Sequence, residues 1–383
     1  MANSNSTTPL VSIVILHFSH GKKDFQRIVD CIRAIQNSTF RNYEIIVVDQ
    51  GSTDGSTKYI LENFPSIKVI RNTKNLGATL GRNEGAKFAR GEYLVFLDDD
   101  TKVESTWLEE LVKATQSNSP QVGIFGSLEA PYNGEASYNG VHGVCDILGC
   151  SFGDYNGYKI NKKYNFFETL EFAILVKKET FNEIEGFDPR YFIAGGLDFC
   201  WRARIAGYDI VNVRSAVVHH ATRLTRDIFG PNKIYFLQRN QLMTIVKNYD
   251  ITTMIFILPL LITQLILEAG LFYLIGKLNL TVKVLKALLW NLEHFKENWS
   301  LHLKTQKIRK IADKEIMSKM TKKNLKALKM LRLLRGVTLE RFEGLDIKDR
   351  TLDERHVSLD LREEYRNFDC FESAPHPFYY NES

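Results

Sequence analysis

The chain has 383 residues, 44% of them hydrophobic and 25% charged, with a formal net charge of +5. It is too long for one average domain, but the length fits one large domain with an appendage, and the hydrophobic content suffices for a substantial core. Residues 1–9 are polar and lack the apolar run of a signal peptide, so we expect the N-terminal domain to stay in the cytoplasm. The five cysteines are an odd number without paired metal spacing, which favours reduced thiols over disulfides or zinc sites.

The first ninety residues alternate between predicted strands and helices. Residues 11–16 and Tyr43–Asp49 are apolar runs typical of buried strands, and residues 23–36 between them have apolar side chains at helical spacing. Residues 67–70 then predict a short strand and residues 78–86 a helix. This alternation predicts an α/β fold with a doubly wound, mostly parallel sheet and right-handed crossovers.

Residues 93–97 form an uncharged apolar run that ends in three adjacent carboxylates, Asp98, Asp99 and Asp100. We expect a strand buried on both faces, and the carboxyl ends of such strands face the ligand crevice. Crowded carboxylates repel one another unless a cation is present, and Mg²⁺ or Mn²⁺ takes oxygen ligands and often bridges to substrate phosphates. The pattern therefore predicts metal-diphosphate chemistry. The alternative is that Asp99 and Asp100 begin a solvated loop that caps a helix over residues 105–116.

Short motifs around these residues occur in the order typical of one enzyme family. In the first hundred residues they are 11–15 (VSIVI), 47–56 (VVDQGSTDGS), 75–77 (NLG), 81–85 (GRNEG) and 97–100 (LDDD). The chain therefore resembles family-2 glycosyltransferases of the GT-A fold, and the likeness continues to about residue 315. Later motifs make it most similar to the rhamnosyltransferase-like branch. These are 186–188 (GFD), 200–208 (CWRARIAGY), 217–220 (VVHH) and 238–240 (QRN).

The resemblance implies that the first hundred residues bind a nucleotide diphosphate sugar. Asp49 would accept hydrogen bonds from a base or ribose edge, and the guanidinium of Arg82 would lie close to the diphosphate. Each residue also has a structural interpretation. Asp49 would then only stabilise the turn at Gly51, and Arg82 would be a surface helix residue.

The resemblance also assigns roles within the carboxylate trio, as the DxD pattern of the family. Asp98 is expected to face the ribose or the metal, and Asp100 to bind the metal. Asp99 points the other way along an extended chain, so it ranks third as a contact of the donor.

The segment between the trio and the next motif is less informative. Residues 122–126 and 172–178 predict strands, and residues 181–186 predict a helix. Residues 132–157 are rich in Gly, Tyr and Asn and predict an irregular flank of the active site.

The main departure from the family lies at residues 195–202. In relatives an acidic pair precedes a third acid, and the second acid of the pair takes the proton from the acceptor hydroxyl. Here Gly195 and Gly196 replace the pair, and Asp198 is the third acid. A missing base costs about 10²- to 10⁴-fold in rate. Three interpretations stay open: Asp198 is the base through a shifted loop, another acid such as Glu171 substitutes, or the chain is a weak or inactive relative.

Asp198 also has a structural interpretation, because Asp is a good N-cap and a helix is predicted over residues 199–206. Further along, residues 210–218 predict a strand that leads to His219 and His220. The resemblance implies one histidine that completes the metal site, and we assign His220, since His219 replaces the aromatic residue that usually precedes the ligand.

Two arginines follow the histidines. Arg223 and Arg226 lie in a stretch expected to be flexible, and they are candidates for clamping the diphosphate when a loop closes.

The composition changes after residue 250. Residues 251–276 contain no Lys or Arg and only Glu268 among the acids, and 26 residues are enough for a membrane span. Residues 277–335 hold 16 Lys and Arg against 4 Asp and Glu, a net charge of +12, so the rest of the chain is at −7. Basic amphipathic helices are typical of membrane surfaces. Nucleic acid is the rival partner, but no known nucleic-acid fold accompanies this block.

A complete span would carry the basic block across the membrane, against the positive-inside rule. Pro259 and Glu268 also argue for a broken, shallow or re-entrant helix. We therefore expect peripheral or monotopic attachment to the cytoplasmic face of the membrane.

These observations predict three parts: a GT-A catalytic domain over residues 1–245, a membrane-association region over 246–344 and a polar tail over 345–383. The predicted activity is a metal-dependent, inverting glycosyl transfer with Mg²⁺ or Mn²⁺. The sugar would move from a nucleotide diphosphate sugar to a lipid-linked saccharide or a surface polysaccharide precursor. The alternative is a non-catalytic, sugar-nucleotide-binding scaffold of a glycan-assembly complex. The sequence is compatible with an oligomer.

Overall fold

The structure is a computed structural model that describes residues 8–19, 22–132, 142–153, 167–221, 232–324 and 326–327. The strands are β1 (Val11–His17), β2 (Tyr43–Asp49), β3 (Lys68–Arg71), β4 (Tyr93–Asp98), β5 (Thr101–Val103), β6 (Val122–Pro131), β7 (His142–Cys145), β8 (Ser151–Gly153), β9 (Glu168–Thr169), β10 (Ala173–Lys177) and β11 (Asp209–His220). The helices are α1 (Lys22–Gln36), α2 (Ser56–Asn63), α3 (Ala78–Phe88), α4 (Trp107–Ser117), α5 (Lys178–Glu183), α6 (Gly196–Ile205), α7 (Asn232–Asn248), α8 (Ile251–Leu274), α9 (Leu278–Glu293), α10 (Phe295–Lys307) and α11 (Asp313–Ser318).

Eight strands form the main sheet, in the order β3-β2-β1-β4-β10-β6-β11-β5. The pairings from β3 to β4 are parallel, and so is the pairing of β6 with β11. Strand β10 runs antiparallel to both of its neighbours, and β5 runs antiparallel to β11. This topology confirms the predicted GT-A type, doubly wound and mostly parallel α/β architecture.

Strand β4 shows why the apolar run specifies a central position. Its residues alternate between the two faces of the sheet. Val95 and Leu97 pack with α1 and α4 in one core cluster, whereas Leu94 and Phe96 pack with α3 and α6 in another. Both faces are therefore covered, and the strand needs apolar side chains throughout.

The glycines of α3 let that helix lie close against the sheet. A Cβ atom on Gly85 would stand 2.2 Å from Cγ1 of Val14, and one on Gly81 would stand 2.4 Å from Cδ1 of Leu16. Because real Cβ atoms do not approach so closely, only glycine permits this contact between α3 and β1. Packing thus explains the two glycines, Gly81 and Gly85, of the 81–85 motif.

The flank predicted to be irregular contains regular structure. Strands β8, β7 and β9 form a second, three-stranded antiparallel sheet. The prediction is therefore wrong for residues 142–145 and 151–153, which form short strands in a composition rich in glycine. Residues 133–141 and 154–166 lie outside the described part of the chain.

Helix α6 begins earlier than predicted. Its N-cap is Gly195, and Asp198 lies in its first turn. The N-cap role suggested for Asp198 is therefore wrong, because the helix already includes Gly196 and Leu197. An acid in the first turn still interacts favourably with the helix dipole.

The C-terminal helices pack directly on the catalytic part. Trp201 of α6 shares a core cluster with Ile245 of α7, Leu261 of α8 and Ile316 of α11. The predicted boundary between residues 245 and 246 falls inside α7, and the division into domains stays a prediction. Helix α8 is continuous through Pro259, so the break expected at that residue is absent. The predicted tail, residues 345–383, lies outside the described residues.

The cysteines within the described residues are free thiols. They are Cys31, Cys145, Cys150 and Cys200.

Candidate active site

Three parallel strands bring polar side chains to one edge of the sheet. In the register of β1 and β2, His17 lies beside Asp49, and in that of β1 and β4, Leu16 lies beside Asp98. The carboxyl ends of these strands therefore meet, at the edge where open α/β sheets bind their ligands.

Asp98, Asp100 and His220 form a group that we call the acidic cluster. One ligand atom from each of these residues lies within 4.8 Å of the others. Strand β5 creates this arrangement, since it follows the trio directly and pairs Thr101 with His220. The backbone N–H of Ala221 also donates to the carbonyl oxygen of Asp100, at 3.1 Å. The structure thus brings together the three residues predicted as metal ligands.

The surroundings of His220 suit a metal ligand. Its Nε2 lies 3.3 Å from Oδ1 of Asp100, and its Nδ1 lies 3.0 Å from Oε1 of Glu129. The ring of Phe172 stacks on the imidazole with 3.9 Å between centroids. A carboxylate on the far nitrogen orients a ligating histidine and fixes its tautomer. The sequence analysis missed Glu129, because the strand predicted over residues 122–126 ends before it, whereas β6 continues to Pro131.

The charges around His220 fit a site that takes a divalent cation. Burial opposes protonation of the imidazole, but Asp100 and Glu129 outweigh burial and raise the pKa of His220 to about 10. The proton on His220 thus supplies the positive charge that the carboxylates need. A divalent cation would replace that proton, and two carboxylates with one imidazole are ligands that Mg²⁺ or Mn²⁺ accepts.

Asp99 faces away from the acidic cluster. Its Oδ2 lies 2.5 Å from Nδ1 of His17 and accepts a hydrogen bond from the backbone N–H of Phe18 at 3.2 Å. On its other side, His17 lies 2.7 Å from Oγ of Ser56. Burial raises the pKa of Asp99 to about 6, and His17 opposes that rise. Asp99 therefore connects the ends of β4 and β1 in this structure. His17 is the second functional candidate that the sequence analysis missed, and its signal was a polar residue ending an apolar strand.

Arg82 lies at the site, but it is buried among carboxylates. Its Nη2 donates to Oδ1 of Asp98 at 2.9 Å, and its Nη1 lies 3.4 Å from Oε2 of Glu171. Burial raises the pKa of both carboxyl groups, and the guanidinium opposes that rise. The arginine is 1% exposed, and its Nε and Nη1 have no hydrogen-bond partner among the residues that the structure describes. Arg82 is thus placed to hold Asp98 and Glu171, and it is not the surface residue considered as the alternative.

Asp49 is fully buried at the end of β2. Its Oδ1 accepts a hydrogen bond from the backbone N–H of Ser52 at 2.8 Å, and its Oδ2 accepts one from Oγ1 of Thr57 at 2.6 Å. Both oxygens therefore have partners in the segment that follows the strand, Ser52 in the turn and Thr57 in the first turn of α2. This geometry favours the turn-stabilising interpretation of Asp49 over the predicted nucleotide contact.

The two predicted catalytic acids have different surroundings. The carboxylate of Asp198 is 0% exposed and lies 2.7 Å from Nζ of Lys247 and 2.9 Å from Nε of Arg202. It also accepts a hydrogen bond from Asn248 at 3.1 Å. Burial acts against ionisation, but the two cations lower the pKa of Asp198. By contrast, the side chain of Glu171 is 24% exposed. The geometry argues against Asp198 as the base, because its carboxylate is enclosed by donors.

The remaining predicted contacts of the diphosphate cannot be located. Arg223, together with Arg226, lies outside the described residues.

Comparison with known proteins gives the chain its relatives. Residues 12–178 match the family described as Glycosyl transferase family 2. Glycosyltransferase GlyG of Streptococcus pneumoniae is 30% identical over 48% of this chain and 62% of its own length. Glycosyltransferase AglE of Haloferax volcanii is 28% identical over 57% of this chain and 69% of its own length. The chain thus spans less than two thirds of GlyG. The rhamnosyltransferase-like branch stays a prediction.

Solved structures with a similar fold include the mannosyltransferase PcManGT from Pyrobaculum calidifontis, which is in complex with GDP-Man and Mn²⁺. The similarity covers 79% of this chain and 86% of that one, with 15% identity and a TM-score of 0.49.

Proposed function

We propose that residues 12–178, which match the family described as Glycosyl transferase family 2, form a glycosyltransferase domain, and that the protein transfers a sugar from a nucleoside diphosphate sugar to an acceptor hydroxyl. The transfer depends on Mg²⁺ or Mn²⁺ and inverts the anomeric centre. The acceptor is a lipid-linked saccharide or a surface polysaccharide precursor at the cytoplasmic face of the membrane.

The acidic cluster is the observation that carries the proposal. Asp98, Asp100 and His220 would hold the cation, because each offers a ligand atom within 4.8 Å of the others. When bound there, the cation acts as a Lewis acid that stabilises the negative charge of the leaving diphosphate. The cluster lies at the carboxyl edge of the sheet, where a nucleotide can enter.

The neighbours of the cluster keep its ligands in place. Arg82 binds Asp98 through Nη2 at 2.9 Å, and Glu129 lies 3.0 Å from Nδ1 of His220. Both partners come from elements outside the trio, from α3 and β6. Such outer partners set the orientation of ligand side chains and support metal affinity.

An apolar surface supports the proposed attachment to the membrane. Among the described residues, 16 of the 19 exposed large apolar side chains lie between residues 251 and 303, on and around α8, α9 and α10. Phe256 is 75% exposed, Leu274 81% and Leu292 73%. Many exposed apolar side chains concentrated in one region of the chain suit a membrane or protein interface. Exposed lysines of the same region, such as Lys286 and Lys304, suit anionic lipid.

Helix α8 is long and apolar enough to cross a membrane, but its contacts favour a position along the surface. The carboxylate of Glu268 lies 2.6 Å from Nζ of Lys326 and accepts hydrogen bonds from Gln238 at 3.0 and 3.1 Å. This polar group joins α8 to α7 and to the residues that follow α11. A helix that crossed the bilayer would have to leave this polar group or carry it into lipid, which is costly. We therefore propose monotopic attachment.

The test is turnover of a panel of nucleoside diphosphate sugars with membrane lipid extract, with Mn²⁺ or with a chelator. We expect sugar transfer with at least one donor, and loss of transfer with the chelator and in Asp100→Asn. Transfer that persists in the chelator would contradict the metal-dependent reaction. Donor binding without any transfer would favour the alternative of a non-catalytic scaffold, which the two glycines at residues 195 and 196 motivate.

A further inference from the structure

Glu171 fills the space that two glycines leave at the start of α6. A Cβ atom on Gly196 would lie 2.9 Å from Cβ of Glu171 and 3.2 Å from its Oε2. Burial raises the pKa of Glu171, and the nearby charge of Arg82 and the backbone N–H groups of Gly196 and Gly195 oppose that rise. The carboxylate thus occupies the place where a side chain on Gly196 would begin.

Gly195 has no room for a side chain of its own. A Cβ atom there would lie 2.4 Å from Cγ2 of Thr79 and 3.2 Å from Cβ of Tyr191. Local packing therefore explains why residues 195 and 196 are both glycine, but different neighbours are responsible at the two positions. Thr79 and Tyr191 exclude a side chain at residue 195, whereas Glu171 excludes one at residue 196.

Three contacts place the segment of Glu171 beside the acidic cluster. The backbone N–H of Asp98 donates to the carbonyl oxygen of Phe172 at 3.2 Å. The ring of Phe172 stacks on His220. Arg82 bridges Oδ1 of Asp98 and Oε2 of Glu171, at 2.9 and 3.4 Å. The side chain of Glu171 is thus 24% exposed, and its buried Oε2 shares the Arg82 guanidinium with Asp98, a predicted metal ligand.

We propose that Glu171 is the general base of the transfer and that residue 196 is glycine because the Glu171 side chain occupies its place. This role rests on the proposed function. Glu171 accepts the proton of the acceptor hydroxyl, and the acceptor oxygen forms a bond to the anomeric carbon. The bond between that carbon and the diphosphate oxygen breaks, and its electron pair leaves with the diphosphate.

Arg82 acts on Glu171 as a positioning group, through the ion pair of its Nη1 with Oε2 at 3.4 Å. Together with the packing of Glu171 against Gly196, this ion pair keeps the carboxylate at one side of the acidic cluster, so that little side-chain freedom is lost when the acceptor binds. A base that is held in this way contributes about 10²- to 10⁴-fold to the rate.

The test compares Glu171→Gln with Glu168→Gln, a matched change of the acid three residues earlier. Glu168 accepts a hydrogen bond from Ser151 and belongs to β9. We expect kcat to fall by about 10²-fold or more in Glu171→Gln, with donor affinity and melting temperature close to wild type. We expect Glu168→Gln to keep wild-type turnover. A folded Glu171→Gln enzyme with near wild-type kcat would overturn the assignment.

A second pair of variants tests whether a carboxylate on residue 196 can replace the carboxylate of Glu171. Glu171→Gly removes the base and opens the space next to residue 196, and Glu171→Gly with Gly196→Asp returns a carboxylate to that space. We expect the double variant to recover at least about tenfold in kcat over Glu171→Gly, within the range of a positioned base. No recovery, with both proteins folded and both binding the donor, would overturn the claim that one carboxylate replaces the other.

Different results would overturn the proposed function and the role of Glu171. A wild-type protein that transfers no sugar to any acceptor would overturn the proposed function and the role of Glu171 with it. Wild-type turnover that survives Glu171→Gln would overturn only the role. If Glu171→Gln melts below the assay temperature, Gly196→Ala carries the test, because its Cβ displaces Glu171, and kcat must then fall while the donor still binds.

Discussion

Glu129 determines how His220 acts as a ligand. The Glu129 carboxylate is 4% exposed and lies on Nδ1, so Nε2 is the nitrogen that faces Asp100. Without this contact the imidazole could rotate or change its tautomer. The sequence contained Asp98, Asp100 and His220 in recognisable motifs, whereas Glu129 has no motif. Only the pairing of β6 with β11 brings it to the site.

We predict that Glu129→Gln weakens Mn²⁺ affinity by about 10- to 100-fold, the usual effect of losing an outer partner of a ligand. Affinity is measured by titrating Mn²⁺ into the protein with a saturating nucleoside diphosphate. The control is Glu104→Gln, since Oε1 of Glu104 lies 2.6 Å from Nε2 of the neighbouring His219. Equal affinities in the two variants would contradict the role of Glu129.

Asp198 is an anchor of the fold in this structure. We predict that Asp198→Asn lowers the free energy of unfolding by about 3 kcal/mol, because Lys247 and Arg202 would lose a buried counter-charge. Chemical denaturation measures this loss. The control is Asp209→Asn, which changes a side chain that is 51% exposed and pairs with Lys319 at 2.9 Å and with Arg204 at 3.8 Å, and it should cost less than about 1 kcal/mol. An unchanged stability in Asp198→Asn would show that this buried pairing is dispensable.

Glu168 gives the stability a pH dependence. Burial raises the pKa of Glu168 from 4.5 to about 7, the hydrogen bond from Ser151 opposes the rise, and the charge of Glu171 adds to it. Between these two values the folded protein binds a proton that the unfolded chain releases, so this group makes stability fall as the pH rises from 4.5 to 7. Glu168→Gln stays neutral. We predict that its melting temperature exceeds that of wild type by more at pH 8 than at pH 5. The same difference at both pH values would refute the shift.

At the scale of elements, β5 is the piece that the sequence analysis did not predict. The sequence analysis expected the trio to lead either into the site or into a loop before a helix. Strand β5 has only three residues, which are too few to show a periodic pattern. Thr101 and Val103 are buried while Lys102 is not, which is the alternation of a strand. The pairing of β5 with β11 is a long-range contact, and it places His220 beside Asp100.

Helix α8 combines a packed face with an exposed apolar face. Leu261 and Leu265 are fully buried, whereas Leu260 is 57% exposed and Leu267 66%. Hydropathy alone did not distinguish a span from a surface helix, because both faces are apolar. The contacts of Glu268 with α7 and Lys326 supply the distinction.

We predict that Leu260→Glu with Leu267→Glu weakens binding to vesicles with anionic lipid by about tenfold or more, since burying one leucine contributes about 1.5–3 kcal/mol. Flotation of the protein with vesicles measures the bound fraction. Leu61→Glu on α2 is the matched control, because Leu61 is 56% exposed in the catalytic part. Equal flotation of the two proteins would contradict attachment through α8.

For the whole molecule, the order of strands and helices followed from apolar runs, because each central strand of a parallel sheet needs apolar residues on both faces. The same runs placed Asp98 and Asp49 at the carboxyl edge. What the sequence did not supply was the direction of each side chain. Asp49 and Asp198 were predicted to meet substrate, but their partners Thr57 and Lys247 enclose them. Glu171 lies beside Gly196 although 24 residues separate them in the chain, and only the packing of α6 brings them together.

The central claim is that the acidic cluster binds a cation together with a nucleoside diphosphate. Calorimetric titration of UDP, GDP, CDP and dTDP into the full chain, in Mn²⁺ and in a chelator, tests it most directly. We predict that at least one nucleotide binds in Mn²⁺. Its affinity should fall by about 100-fold or more in the chelator and in Asp100→Asn, since losing a ligand costs at least as much as losing its outer partner. Equal affinity with the chelator present, or in Asp100→Asn, would contradict the claim.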